Sequence, residues 1–229
     1  MTAATSVLRF FAWSYSRLSD WEACPLRSKF KHLMKIPDPG SPALARGSDV
    51  HDHVAKYLTG KVRSIAPEWK RHAKRIALLK SLKPSVEQQW GFDAAWNRSD
   101  WFGANTIARI VVDAAAIVEK KGRPKTLLIV DWKTGKKREG YADQLELYAL
   151  AGFARYPDVA TVETELHYLD QDPDETETRS FARTDLPTLK AKWAKRVRPM
   201  LADRKFPPNP GRACMWCPYS ASKGGPCQF

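Results

Sequence analysis

Two aliphatic runs, each carrying one aspartate, constrain this chain more than any other feature: "RIVVDAAAIV" around Asp113 and "TLLIVDWK" around Asp131. Leu127 to Val130 are four consecutive aliphatic residues, the pattern of a strand covered on both faces. Strand side chains alternate, so Asp131 and Lys133 project from the same face. Two opposite charges there form either an ion pair at a strand mouth or half of an active site. If the two runs pair side by side, Asp113 and Asp131 meet across the sheet. A buried pair of carboxylates is costly unless a cation sits between them, and hard oxygen ligands suit Mg²⁺ or Mn²⁺. Lys133 would then stand beside the metal, placed to orient or deprotonate a water and to stabilise charge on a phosphate. The plainer reading is an Asp131–Lys133 pair with Asp113 bonded elsewhere.

The surrounding pattern predicts a helix over 14–34, broken near Cys24-Pro25, then a loop holding Pro37, Pro39, Gly40 and Pro42. A second helix runs through "ALARGSDVHDHVAKYLTG", with Leu44, Gly47, His51, Val54 and Leu58 on one stripe and Gly60 as its stop. A basic amphipathic helix follows over 67–82, opened by Pro67. "SVEQQWGFDAAW" and "IARIVVDAAAIVEK" read as strands leading into "TLLIVDWK". Residues 140–155 form a helix that places Gln144 and Tyr148 on one face. "VETELHYLD" and "ETETRSFAR" read as a hairpin across "QDPD", and a basic helix over 185–203 leads into a Pro/Cys-rich tail. This order is that of an α+β (α/β) core without regular βαβ alternation. GxGxxG and Walker A patterns are missing from the sequence, which does not support Gly-rich phosphate cradles. His51 lies on an apolar helix face, where a histidine is more often a core residue than a ligand.

Charge narrows the partners. The 229 residues carry 38 Lys+Arg against 25 Asp+Glu, a net +13, which favours nucleic acid first and an anionic membrane surface second. No apolar run is long enough to span a bilayer, and Arg9 interrupts the short N-terminal apolar patch, so the chain reads as soluble and cytoplasmic. Candidate phosphate contacts are the "KKREG" run after Lys133, Lys70, Arg71, Lys74 and Arg75, and Lys190, Lys192, Lys195, Arg196 and Arg198. For any one of these Lys or Arg a solvated basic face is the plainer reading. Trp69, Trp132 and Trp193 stand beside basic residues and are candidates for stacking single-stranded bases, although most of the nine tryptophans read as core.

Cysteine placement is uneven. Cys24 stands alone, while Cys214, Cys217 and Cys227 fall in the last sixteen residues as C-x2-C-x9-C. In a reducing compartment that clustering points to a metal rather than to disulfides, although a redox pair or half a disulfide set has the same spacing. Cys24-Pro25 and Cys217-Pro218 are Cys-Pro dipeptides, as found around iron–sulfur ligands.

The ordered set resembles a known group. Asp113, then Asp131-x-Lys133, then Gln144-x3-Tyr148 match the pattern of the PD-(D/E)XK nuclease superfamily. The "GSDVHDHV" helix with His51 and the "QLELYAL" motif are similar to its RecB-like exonuclease branch. One early cysteine with a C-terminal C-x2-C-xn-C resembles the iron–sulfur members. Those include the Cas-four nucleases of CRISPR adaptation, the nuclease domains of AddB-type helicase–nucleases and phage-encoded relatives.

The resemblance spans Cys24 to Cys227 and implies a single nuclease domain over 1–229. Within it, a helical region over 14–84 precedes a restriction-endonuclease-like core of mixed sheet and flanking helices over 85–203. A cluster-binding tail over 204–229 completes it. The resemblance further implies a metal-dependent DNA exonuclease acting on DNA ends or single strands in recombination, repair, or CRISPR or phage DNA processing. Its Mg²⁺ or Mn²⁺ would be held by His51, Asp113, Asp131 and the main-chain carbonyl of Trp132. Lys133 would be the catalytic lysine, supported by Gln144 and Tyr148. Cys24, Cys214, Cys217 and Cys227 would hold a 4Fe–4S cluster, with Zn²⁺ as the alternative for four thiolates. Recombination or CRISPR-adaptation proteins are the implied partners, and the location is the cytoplasm, or a host's if phage-encoded. The competing function is a non-catalytic nucleic-acid-binding module with a zinc or iron–sulfur staple; a weaker third is an anionic-membrane-binding protein.

Overall fold

The computed structural model describes residues 8–38, 40, 42–119, 121–137 and 140–229. Pro39, Arg138 and Glu139, and the side chain of Leu44, lie outside the described residues. The helices are α1 (Tyr15–Ala23), α2 (Pro25–Ser28), α3 (Pro42–Leu58), α4 (Ala73–Ser81), α5 (Tyr141–Arg155) and α6 (Leu186–Ala202). The strands are β1 (Ser85–Phe92), β2 (Arg98–Ser99), β3 (Ala108–Val118), β4 (Thr126–Lys133), β5 (Thr161–Tyr168) and β6 (Glu177–Ala182). Among the described residues they form one mixed sheet in the order β2-β1-β3-β4-β5-β6. Among the described strands β4 and β5 are the parallel neighbours, and α5 carries the chain between them. None of the described helices is long and apolar enough to cross a membrane.

Differences from expectation are local. The first helix does break at Cys24, where α1 ends and Pro25 opens α2, and its last turns wind as a π-helix over Lys29–Leu33. Pro42 opens α3 rather than ending a loop, and Pro is well suited to a first turn because it lacks an N–H that would be unbonded there. The basic helix over 67–82 splits: Pro67–His72 winds as a 3₁₀ turn and Ala73–Ser81 as α-helix. The two-residue β2 has no sequence signal, since its pattern is too short to show alternation.

The chain divides into two compact units: Ser41–Lys192, and a unit made of both chain ends, Met1–Gly40 with Trp193–Phe229. In the first, one face of the sheet presents Ala114, Ala116, Leu128, Val130 and Trp132 to Val50, Val54 and Leu58 of α3 and Ile76 and Leu79 of α4. The opposite face meets α5, where a Cβ at Gly152 would lie 2.8 Å from Leu127 and 3.2 Å from Ile129. The helix backbone therefore lies almost on the sheet. Covering both faces is what the unbroken run Leu127–Val130 requires.

The unit of chain ends has its own aromatic core. Trp13 and Trp193 stack at 5.8 Å, Phe10 meets Phe206 edge-on at 5.9 Å, and Phe30 meets Tyr219 at 5.8 Å. Polar ties also join the two segments: Trp21 Nε1–H donates to Asp203 Oδ2 at 2.8 Å, and the Tyr219 hydroxyl to the Ile36 carbonyl at 3.2 Å.

Candidate functional site

The sheet register brings three carboxylates to one level. Val86 pairs with Ala114 and Gln88 with Val112, so Glu87 of β1 stands opposite Asp113 of β3. On the other side Ala114 pairs with Val130, so the next residue of β4, Asp131, stands beside Asp113. The ladder changes character here. The Asp113 carboxylate takes the backbone N–H of Trp132 at 2.9 Å, and Glu87 adopts φ 50°, a left-handed conformation inside a strand. A non-glycine residue held there costs about 1 kcal/mol or more, a departure from regular pairing of the kind that concentrates at functional sites.

Helix α3 supplies the histidine. Its apolar stripe seats Val50, Val54 and Leu58 in the core, and His51 at the stripe's edge reaches Asp113, Nδ1 to Oδ2, at 3.2 Å. His51, Glu87 and Asp113 each offer a ligand atom, all within 4.8 Å of one another. Arg46 pairs with Asp170, which also accepts the Gly135 backbone N–H at 2.6 Å, tying α3 to the turn that leaves β4.

Helix α5 supplies the other support. Tyr148 donates to Asp131 Oδ1 at 2.5 Å and accepts from the Gln144 amide at 2.7 Å. Lys133 Nζ stands 2.5 Å from Asp131 Oδ2 and lies over the Tyr141 ring at 5.2 Å. That oxygen is shielded from solvent and is held by the lysine in a charge-assisted contact.

The electrostatics follow from crowding. Burial raises the Asp131 carboxyl above its ordinary range; Lys133 opposes this, and the Asp113 charge adds to it. Burial acts to lower the Lys133 ammonium, but the Asp131 carboxylate more than reverses it and Lys133 ends above its ordinary range. His51 follows the same logic: burial works against its charge, and bonding to Asp113 prevails, raising it. Partial desolvation, with the Asp113 charge next, raises Glu87. Buried Tyr148, beside Asp131, is raised well above the ordinary phenol range and stays a donor at any working pH. Two carboxyls raised by burial and by the Asp113 charge, gathered with a histidine, make a donor set that suits a divalent cation.

Among the expected residues, the structure brings together His51, Asp113, Asp131, Lys133, Gln144 and Tyr148. Trp132 lends its N–H to Asp113, while its side chain is buried and lies 5.1 Å from the His167 ring. Glu87 was not among the expected residues. Its run "VEQQ" alternates like any half-exposed strand, and only the register reveals its neighbour.

The four cysteines are free, half-buried and gathered around one cavity in the unit of chain ends, with Ala23, Phe30 and Pro208 among its walls. The backbone N–H groups of Asn209 and Gly211 point at the sulfurs of Cys24 and Cys214, each at 3.4 Å. Four thiols with N–H donors and apolar walls fit a bound metal or cluster. At Gly225 a Cβ would lie 2.3 Å from the Tyr219 backbone, so the turn that delivers Cys227 accepts only glycine.

Two expectations about DNA contacts change. Trp69, Trp132 and Trp193 are all core residues, so they present no face to a base. Several of the basic residues already have acidic partners: Arg75 with Glu165, Lys137 with Glu177, Lys192 with Glu146 and Arg196 with Glu22. Lys70, Arg71, Lys74, Lys136, Lys195 and Arg198 are exposed.

Residues 111–222, just under half of the chain, match the family model of the PD-(D/E)XK nuclease superfamily. The span contains Asp113, Asp131, Lys133, Gln144 and Tyr148, and the mixed sheet with helices on its faces is the restriction-endonuclease-like fold of that superfamily. No curated protein matches the chain in sequence. Among solved structures, one described as SSO0001 is 13% identical over 98% of this chain and 91% of its own, with a TM-score of 0.47. Another, named a "putative exonuclease" from Eubacterium rectale, is 13% identical over 90% of this chain and 87% of its own, with a TM-score of 0.49.

Proposed function

We propose that this chain is a divalent-metal-dependent deoxyribonuclease of the RecB-like branch, acting as an exonuclease on DNA ends. The observation that carries the reading is the cluster of His51, Glu87 and Asp113, whose ligand atoms lie within 4.8 Å of one another, beside the buried Asp131 with Lys133 at its Oδ2. A binding module gains nothing from raised carboxyls and a lysine held at a metal-ready carboxylate; a phosphodiesterase needs both.

His51, Asp113 and Asp131 would hold Mg²⁺ or Mn²⁺, with the Trp132 carbonyl and Glu87 as further oxygen donors. The cation, when bound, supplies Lewis acidity toward a phosphate oxygen and lowers the pKa of water. In hydrolysis, water attacks phosphorus, the bond to one ester oxygen breaks with its electron pair, and that oxygen gains a proton. Lys133, fixed by Asp131 and the Tyr141 ring, places a positive charge where negative charge grows on the phosphate. Gln144 and Tyr148 hold the Asp131 carboxylate in one orientation. Cys24, Cys214, Cys217 and Cys227 would hold a 4Fe–4S cluster that staples the two ends of the chain, a structural role. The net charge of +13 supports a DNA substrate.

The test is digestion of end-labelled single- and double-stranded DNA with Mg²⁺ or Mn²⁺. Asp131→Asn and Lys133→Ala should each lower the rate about 100-fold or more while the variants remain folded. Wild-type rates in both variants, or a wild type inert on every DNA, would sink the assignment.

A further inference from the structure

We propose that Phe102 and Trp101, backed by Arg109, form a base-stacking platform for a single strand of DNA leading to or from the metal site. The proposal rests on the nuclease reading and deepens it by naming where an unpaired strand is held.

The connection between β2 and β3 is a rigid turn. The Thr106 hydroxyl bonds the Asp100 carbonyl at 2.6 Å and lies 2.7 Å from the Ser99 hydroxyl, while the Gly103 N–H returns to the Asp100 carbonyl at 2.9 Å. A Cβ at Gly103 would sit 3.1 Å from that carbonyl, so the turn is closed tightly on itself. Its tip presents Phe102 at 82% exposure, an apolar ring that burial would ordinarily claim. The Arg109 guanidinium lies over the Phe102 ring at 5.2 Å and near the half-exposed Trp101 ring at 5.8 Å. Arg109 Nε is shielded from water without a hydrogen-bond partner. An aromatic face held open, with an arginine charge behind it, matches the two parts of a nucleotide, a flat base and a phosphate.

The platform is in line with the site. Arg109 pairs with Gly91 and Val111 with Gln89, on the side of β3 opposite buried Ile110 and Val112. Val111 is 43% exposed, and Gln89 is exposed beside it. Arg109 is four residues before Asp113 on the same strand, about 13 Å at ~3.3 Å per residue, the reach of a few nucleotides. Duplex bases are stacked on each other, so the occupant that fits an exposed ring is an unpaired strand.

The test measures binding of a short fluorescein-labelled oligothymidylate in EDTA, across a salt series, so that catalysis does not enter. Phe102→Ala should weaken binding roughly five-fold or more without changing the slope of log affinity against log salt, and Phe102→Tyr should restore it. Arg109→Met should weaken binding and reduce that slope by about 0.7, one phosphate contact. Phe102→Ala binding like wild type, in a protein that still degrades DNA with metal, overturns the platform alone and leaves the ring to a partner protein. A wild type that neither binds nor degrades DNA overturns the nuclease reading with it.

Discussion

Replacing Tyr148 by phenylalanine removes one oxygen and tests whether Asp131 is ionised in the metal-free protein. Tyr148 is 3% exposed, and its hydroxyl gives Asp131 Oδ1 a bond of 2.5 Å. The other donor to that oxygen, the Gln144 amide, is 3.5 Å away, while Oδ2 is held by Lys133 at 2.5 Å. Loss of a hydrogen bond to a buried charged acceptor costs about 1.5–3 kcal/mol. Gln144 loses an acceptor as well, but it is half-buried and can turn to water. The phenol's own desolvation, about 1 kcal/mol, is recovered. The net is a destabilisation of about 1 kcal/mol, or a fall in Tm of roughly 3 °C for a unit the size of Ser41–Lys192. Urea titration in EDTA, followed by circular dichroism, measures it. In an Asp131→Asn background the acceptor is neutral, the bond of about 1 kcal/mol is offset by the recovered desolvation, and the same substitution should cost close to nothing. A cost below about 0.5 kcal/mol that is equal in both backgrounds would refute an ionised Asp131 held by Tyr148.

Mn²⁺ at about 100 times its Kd should add about 2.7 kcal/mol of stability, read as a thermal shift that His51→Ala and Asp113→Asn abolish. Because Asp113 raises the His51 pKa, the ring holds its proton to higher pH, and the metal must displace that proton; the shift should grow as pH rises through the histidine range. Glu87→Gly should stabilise the metal-free protein by up to about 1 kcal/mol, since glycine accepts φ 50° and a crowding carboxylate is removed, while metal affinity falls. Gly225→Ala forces a Cβ to within 2.3 Å of the Tyr219 backbone and should cost about 1–3 kcal/mol, with loss of protein-bound iron by colorimetric assay.

The sequence made β4 and its charged end legible because their signals are local. An aliphatic run marks β4, a period of two puts Asp131 and Lys133 on one face, and a spacing of four puts Gln144 and Tyr148 on the helix that covers it. Pairing of Asp113 with Asp131 needed only adjacent strands. Glu87 was not legible, because its role depends on register between β1 and β3 and on a backbone angle no residue type announces. For the tryptophans the core reading holds: a basic neighbour in sequence says nothing about burial, and Trp69, Trp132 and Trp193 are core while Phe102 is open. The pairing of Arg75 was not legible either, since its partner Glu165 is ninety residues away in sequence.

The charges of this chain answer two demands of opposite sign. A site for a divalent cation needs carboxylates concentrated and at least partly dehydrated. Asp113 and Asp131 are buried, Glu87 is exposed but partly desolvated, and the cost is raised pKa values at Glu87 and Asp131. A polyanionic substrate needs the rest of the surface to be positive, and carboxylates near it repel phosphate. On the proposed reading Lys133 would meet both demands at one point: it partly neutralises Asp131 in the metal-free protein and would face the phosphate once metal is bound. Elsewhere, Lys137, Lys192 and Arg196 are paired with acids and contribute little attraction. The exposed Lys70, Arg71, Lys74 and Lys136 carry more of it, each able to release about one counterion on contact with phosphate. The net charge of +13 therefore overstates the DNA-facing charge. The salt slope of binding should report the exposed residues and not the total.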